Sequence, residues 1–386
     1  MRINFRVPIS ILAVAIGLAT VTTHAQQRPP QGVAAGIEKP LRIAPGPNNG
    51  RNSEGDFIQL KDGRLLLIYT KCIGTGDHAP AELAGRYSSD GGKTWDADDV
   101  SIISRQDDDA NLMSVSLLRL SDGRIALFYI RKYNSPPGSK YPYLDHILMR
   151  TSDDEGKTWS EPTHVVPENQ PGYRVLNNDR VIQLKSGRLV VPLAVHYLPG
   201  WPGFQSSADI VCYLSDDQGK SWRVGTSTLK SEQLAQEPGV VELADGNLMM
   251  FCRSRDCQLV SRSEDGGVTW SPLLRSNIPQ PTTSPASIER IPSTGHLLLV
   301  WNNGDDPLAA VKPVGRRPFS VAVSKDEGAT WEHIRNIGTD PQGWYCYTAI
   351  EFVDDNVLLA HCEFPGLNSL QITRVPVRWL YESEVD

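Results

Sequence analysis

The stretch "SSDGGKTWDADD", Ser88–Asp99, recurs four more times along the chain. Its copies are "TSDDEGKTWSEP" from Thr151, "LSDDQGKSWRVG" from Leu214, "RSEDGGVTWSPL" from Arg262 and "VSKDEGATWEHI" from Val323. The shared phrase is Ser-x-Asp-x-Gly-x-Thr-Trp, with Ser221 in place of Thr in the third copy. Its Asp falls at 90, 154, 217, 265 and 326, at intervals of 64, 63, 48 and 61 residues. Repetition at such a period marks stacked or radial units and is the first thing to read in a sequence. Asp and Ser side chains satisfy turn amides, Gly permits a positive φ, and Trp anchors the turn from beneath. Five copies therefore read as structural staples, and the chemistry must lie between them.

A second phrase runs out of step with the first. It is an apolar strand, a tight turn and another strand: "IQLKDGRLLLIY", "LLRLSDGRIALFY", "VIQLKSGRLVVPL", "VVELADGNLMMF", "IERIPSTGHLLLV" and "IEFVDDNVLLAH". The turn positions Gly63, Gly123, Gly187, Gly246, Gly295 and Asn356 are 60, 64, 59, 49 and 61 residues apart. Asp-Gly between β-rich runs is a strong hairpin signal, because Gly or Asn accepts the positive φ. Each period then holds two hairpins, hence four strands, and no segment carries a sustained helical period. The chain reads as all-β: a six-bladed β-propeller of four-stranded blades with five Asp-containing boxes. The sixth unit lacks the box, so its outer strand is expected from "KPLRIAP", Lys39–Pro45, closing the ring.

The N-terminus, "MRINFRVPISILAVAIGLATVTTHAQ", places Arg2 and Arg6 ahead of an apolar run and a Thr-His-Ala step. That is the pattern of a secretory signal peptide over residues 1–25, leaving residues 26–386 as one propeller domain, exported or periplasmic. The apolar run is short for a membrane span, and no later segment is long enough for one. Without residues 1–25, 36 Lys+Arg stand against 45 Asp+Glu, a net formal charge of −9. Such an acidic chain is a poor partner for nucleic acid, which is bound by Lys and Arg neutralising phosphates. Six cysteines, Cys72, Cys212, Cys252, Cys257, Cys346 and Cys362, permit disulfides in an exported chain, with buried thiols the other reading. Oligomeric state is not legible.

The repeated phrase is the Asp box, and the chain resembles the sialidases and related propellers over nearly all of residues 26–386. Counting back nine from each turn compares equivalent inner-strand positions: Glu54, Ser114, Asn178, Glu237, Ala286 and Tyr347. The resemblance implies a catalytic Tyr on the last blade, matching Tyr347, and a Glu before a "VVEL" hairpin with an Arg at its far end, matching Glu237 and Arg253. It implies a further Arg ahead of the last Asp box, matching Arg316, with Arg317 its rival. It also implies an acid/base Asp in a loop before the first box, where Asp77 stands with His78 and Glu82 as rivals. Sialidases usually supply a third Arg in an "RIP" phrase of the first blade. Aligned on Gly63, that position holds Ser53, and Arg51 lies two residues upstream.

The residue types fit the chemistry that the resemblance implies. A sialic acid carries a carboxylate on its anomeric carbon, so an anionic nucleophile would meet like charge, whereas a neutral Tyr avoids it. Glu237 would draw the phenol proton, Tyr347 would attack, and Asp77 would protonate the leaving oxygen. Arginines would grip the substrate carboxylate through paired charge-assisted hydrogen bonds. The implied partners are sialylated or other acidic glycans, with no cofactor and no catalytic metal. The residues alone also permit a buried Glu237–Arg253 salt bridge, a core Tyr347 and a turn-forming Asp77, as in a non-catalytic glycan-binding propeller. There is no HExxH, GxSxG or P-loop, and "GTGDHA" is not followed by the helix a dinucleotide site needs. Asp107, Asp108 and Asp109 read as a solvated loop, with calcium or a substrate rim as the minority reading.

Overall fold

The computed structural model describes residues 36–105, 111–363 and 368–382. The signal-peptide reading of 1–25 and the Asp107–Asp109 run lie outside the described residues. Within them the chain forms six sheets, each around four strands, in the order of a six-bladed propeller. The inner strands of blades 1, 2, 4, 5 and 6 are Arg51–Gln59, Asn111–Arg119, Gln236–Glu242, Ser287–Arg290 and Cys346–Val353. Blade 3 has two short inner pieces, Tyr173–Val175 and Ile182–Gln183, both paired with Leu189–Tyr197. The ring closes as expected: Glu38–Ile43 pairs antiparallel with Ser369–Pro376 as the outer strand of blade 6.

Strand alternation explains how the blades hold together, since successive residues face opposite sides of a sheet. In the second strand of blade 1, Leu65, Leu67 and Tyr69 pack on Leu358, Ala360 and Ile372 of blade 6. Leu66 and Ile68, between them in sequence, pack on Leu117, Leu127 and Leu148 of blade 2. The same arrangement recurs around the ring, with an apolar layer at each seam.

The hairpin turns form as their sequences require. Leu60 accepts from Gly63 N at 3.0 Å and donates to Arg64 O at 2.8 Å, with Gly63 at φ +86°. That is a turn followed by a left-handed residue, where a Cβ would be strained. The sixth hairpin departs from the expectation: Asp354 at φ +51°, not Asn356, takes the left-handed conformation, because Val353 and Asn356 pair across a two-residue turn.

All five Asp boxes share one hydrogen-bond pattern. In the first, Gly92 N donates to Ser88 Oγ at 3.0 Å, and Thr94 N and Oγ1 donate to Asp90 at 2.9 and 2.6 Å. Asp154, Asp217, Asp265 and Asp326 accept the same pair of bonds from Thr158, Ser221, Thr269 and Thr330. Boxes also latch blades together: Glu155 accepts from Lys61 N and pairs with Arg119, Gln218 donates to Ser121 Oγ, and Glu327 accepts from Ala244 N and pairs with Arg290. Each box joins a third strand to a fourth, at the end of the blade that also carries the Asp-Gly hairpin. The antiparallel order puts the start of every inner strand at the opposite end.

Candidate active site

At that opposite end the inner strands break their own register. Glu54, Ser114, Glu237 and Tyr347 have φ of +49°, +62°, +46° and +56°, each inside a bulge in the ladder to the second strand. A bulge re-aims side chains, and left-handed backbone at non-glycine residues is costly and gathers at functional sites. Two of the six equivalences need correction. In blade 3 the left-handed residue is Asp179 at φ +56°, one past Asn178, because the inner strand is interrupted there. In blade 5 Ala286 precedes its strand and does not share the conformation. Asn178 still faces the axis, where its amide donates to Gly55 O at 2.9 Å and Tyr347 O at 3.1 Å.

Glu237, Arg253, Arg316 and Tyr347 form one cluster. Arg253 Nη1 donates to Glu237 Oε1 at 2.6 Å, and Arg253 Nη2 to Thr283 Oγ1 at 3.2 Å. Arg316 Nε donates to Thr283 O at 3.2 Å, and its guanidinium lies 5.2 Å from the Tyr347 ring centre and 5.5 Å from that of Trp344. Arg317, the rival, turns away and binds the carbonyls of Val311 and Pro313. Glu237 Oε2, Arg253 Nε and Arg316 Nη1 are buried without a hydrogen-bond partner. Buried polar groups are nearly always paired, so three unpaired atoms in one cluster mark a place built for a ligand. Thr283, which ties both arginines, carried no signal in the sequence.

Burial and the Glu237 charge push the Tyr347 phenol far above its ordinary range, although Arg316 and Arg253 pull the other way. Burial alone would raise Glu237 as well, but Arg253, Arg316 and Arg180 outweigh it and hold the carboxyl below its usual value. An ionised Glu237 therefore stands by a protonated Tyr347, the order a base and a nucleophile require.

Arg51 belongs to a second cluster. Its guanidinium is buried, and it donates to Glu54 Oε1 at 2.9 Å, to Ser53 Oγ at 3.1 Å and to Asp77. Ser114 Oγ donates to the other Glu54 oxygen. The Lys132 ammonium, on a side chain buried in blade 2, donates to Asp77 O at 3.1 Å and lies 5.6 Å from the Tyr173 ring centre. Burial pushes Glu54 up despite Arg51 and Ser114. Asp77 goes down, since Arg51 and Lys132 outweigh the partial desolvation of a carboxylate whose side chain is 69% exposed. Arg51 is therefore near the pocket but already held by two carboxylates, the nearby Glu54 of its own strand and Asp77, and the sequence did not reveal Lys132 beside them.

Beside Asp77 the loops of blades 2 and 3 raise a wall of rings. His78 stacks on Tyr143 at 3.8 Å, Tyr141 lies 5.1 Å from Phe204, and Phe204 stacks on His196 at 4.8 Å. The Phe204 side chain is 41% exposed. Glu82, the remaining rival, sits within the strand Ala81–Ser88 opposite Lys71. Further along the axis Asp56, Asp179, Glu289 and Glu351 come together: Asp56 accepts from Leu117 N, Asp179 from Ile350 N at 3.0 Å, and Asp179 and Glu289 share a hydrogen bond. A cavity of about 310 Å³ reaches Asp179, Arg180 and Glu289 at that end. Among the described residues no group of three or more His, Cys, Asp or Glu is placed to hold a metal ion, and no helix is long and apolar enough to cross a membrane.

A ring of Asp-box blades with an Arg-rich pocket at the far end of its axis defines the sialidase-type propellers. The chain belongs to the BNR repeat-like domain family, which matches residues 97–358, with a separate BNR/Asp-box repeat match at 86–97. It is 27% identical over 365 residues to a sialidase of Micromonospora viridifaciens, covering 83% of this chain and 52% of that one. A Bacteroides fragilis sialidase is 25% identical over 263 residues, covering 63% and 45%. The chain thus spans about half the length of the curated relatives it matches. Among solved structures, a Dyadobacter fermentans protein of unknown function superposes with a TM-score of 0.68 at 20% identity, covering 88% of this chain and all of that one. At that identity the superposition establishes the fold alone.

Proposed function

We propose that the protein is an exported retaining exo-glycosidase that hydrolyses terminal sialic acid, or a related ulosonic or acidic sugar, from glycans. The observation that carries this reading is the cluster in which Arg253 binds Glu237 and Arg316 lies over Tyr347, surroundings that favour ionised Glu237 and protonated Tyr347. The two arginines grip the carboxylate on the anomeric carbon. Tyr347 Oη attacks that carbon as Glu237 takes its proton, and the bond to the leaving oxygen breaks as Asp77 supplies one. Water activated by Asp77 then releases the sugar from Tyr347, with retention after two displacements. In the free protein Arg51 favours ionised Asp77, so it needs a proton before the first step; a substrate anion competing for Arg51 raises the Asp77 pKa, and the carboxylate then takes that proton from solvent. The rings of His78, Tyr143, Tyr141 and Phe204 flank Asp77 and so the leaving group.

A second reading keeps the hydrolysis and changes the sugar. Ser53 stands where sialidases carry their first arginine, and Glu54 and Asp77 occupy Arg51. That leaves two open arginines and suits an acidic sugar with a different anion placement. Release of a fluorescent reporter from its α-ketoside of N-acetylneuraminic acid, compared with 3-deoxy-ulosonic and uronic acid glycosides, tests both. Turnover of the first that collapses in Tyr347→Phe supports sialidase chemistry. Turnover of only the others supports the second reading, and none by folded protein refutes hydrolysis.

A further inference from the structure

We infer that Cys346 and Cys362 are a disulfide-forming pair, a modification site in the floor between the two arginine clusters. Cys346 begins the inner strand of blade 6, one residue before Tyr347, and its partner across the ladder is Cys362 of the strand Asn356–Glu363. Directly opposed residues in an antiparallel pair have Cα atoms about 4.5–5.5 Å apart, inside the roughly 4.4–6.8 Å that a disulfide spans. The two thiols are close enough for each to act on the other's ionisation, and Cys346 also lies close to the Arg316 guanidinium. Both side chains are buried, at 2% and 0% exposure.

The other four cysteines act as an internal control. Cys72 faces Arg51 and Ala81, Cys212 faces Pro192, Cys252 faces Pro238 and Leu259, and Cys257 faces Pro279. Cys212 and Cys252 approach one another only across the seam between blades 3 and 4. Cys346 and Cys362 alone among the described cysteines oppose each other in one ladder.

The oxidant is a disulfide-bearing exchange partner, such as an oxidised dithiol. The Cys346 thiol, deprotonated in the still-open chain, attacks one partner sulfur as the thiolate and displaces the other as a thiolate. The Cys362 thiolate then attacks Cys346 Sγ, forming the internal bond and releasing the partner in its reduced dithiol form. The protein loses two protons and two electrons, and the exchange partner gains them. Burial assigns this step to the folding chain, before the neighbouring blades cover the pair. The bond replaces the thiol that Arg316 touches, leaving the guanidinium to Thr283 and an incoming anion, and it fixes the strand that presents Tyr347.

The test uses the full chain purified from an oxidising export host, denatured and alkylated without reductant. Peptide mass spectrometry is expected to find Cys346 and Cys362 joined, two hydrogens lighter than the separate peptides, and the other four cysteines alkylated. Six alkylated thiols, or a link between Cys212 and Cys252 instead, overturns the inference. As a second measurement, reductant is expected to lower the wild-type Tm by roughly 5 °C and to leave Cys362→Ser unchanged. An equal shift in both proteins assigns the reductant effect elsewhere and refutes the pair. Neither measurement depends on which sugar, if any, the pocket hydrolyses.

Discussion

Arg51 Nη2 donates to Glu54 Oε1 at 2.9 Å, so the guanidinium nearest the missing "RIP" arginine is neutralised inside its own blade. Asp77 takes another of its nitrogens. An anionic sugar reaching this side of the pocket must compete with two carboxylates, whereas Arg253 and Arg316 each keep an unpaired nitrogen. The Glu54→Gln substitution keeps the shape and removes one competing charge. KM for a carboxylate-bearing substrate is expected to fall by roughly 3–10-fold with kcat within about 2-fold. An unchanged KM in steady-state kinetics would mean that Arg51 takes no part in binding the anion.

The Tyr347→Phe substitution keeps the ring on which Arg316 lies, so the pocket wall survives. It removes only the phenol oxygen that the proposed mechanism uses for attack. Steady-state kinetics should show kcat down by about 10³-fold or more, with KM changed far less, as for a group acting mainly in the transition state. A parallel loss of Tm would instead assign Tyr347 a structural role.

Arg51 also sets the pH behaviour. With Lys132 it holds the Asp77 carboxyl below its ordinary range, against a partial desolvation at the pocket edge. A general acid works only while protonated, so a lowered pKa confines activity to the acidic side. Replacing Arg51 by Gln removes the charge that favours ionised Asp77, and the adjacent Glu54 then favours its protonated form. The alkaline limb of kcat/KM is expected to move up by about one pH unit, while the acidic limb, set by Glu237, stays in place. A profile that only scales down would exclude Asp77 as the acid.

The parts of this protein written in contiguous residues were legible. Ser88 to Trp95 holds its turn with its own side chains, so the fold followed from five copies and six hairpins. Glu237 and Tyr347 were reachable by counting because blades 4 and 6 keep the repeat's register through their bulges, whereas Arg253 and Arg316 followed from the resemblance. Blade 3 does not, and a count of nine lands on Asn178 where Asp179 takes the left-handed conformation. The Arg51–Asp77 pairing was out of reach, since twenty-six residues separate the two and only the fold brings that carboxylate to the guanidinium that Glu54, three residues on, also holds. Thr283 and much of the ring wall come from loops of differing length, whose placement no period encodes, and Lys132 reaches Asp77 from a strand of the next blade.

The carboxylates along the axis make a prediction about stability rather than catalysis. Burial, with Asp179 nearby, pushes Glu351 up to about 8, and burial pushes Asp179 up to about 6 despite Arg180. An unfolded Glu titrates near ~4.3, so the folded chain favours the protonated form. A raised folded pKa contributes stability that is fully present below the unfolded value and is lost as pH rises through the folded one. The protein should therefore weaken between about pH 4 and pH 8 through Glu351. Glu351→Gln supplies a permanently neutral group of the same shape. Its Tm is expected to exceed wild type by roughly 2–4 °C at pH 8 and to match it within about 1 °C at pH 5. Equal differences at both pH values in a thermal melt would show that Glu351 is not held protonated by its surroundings.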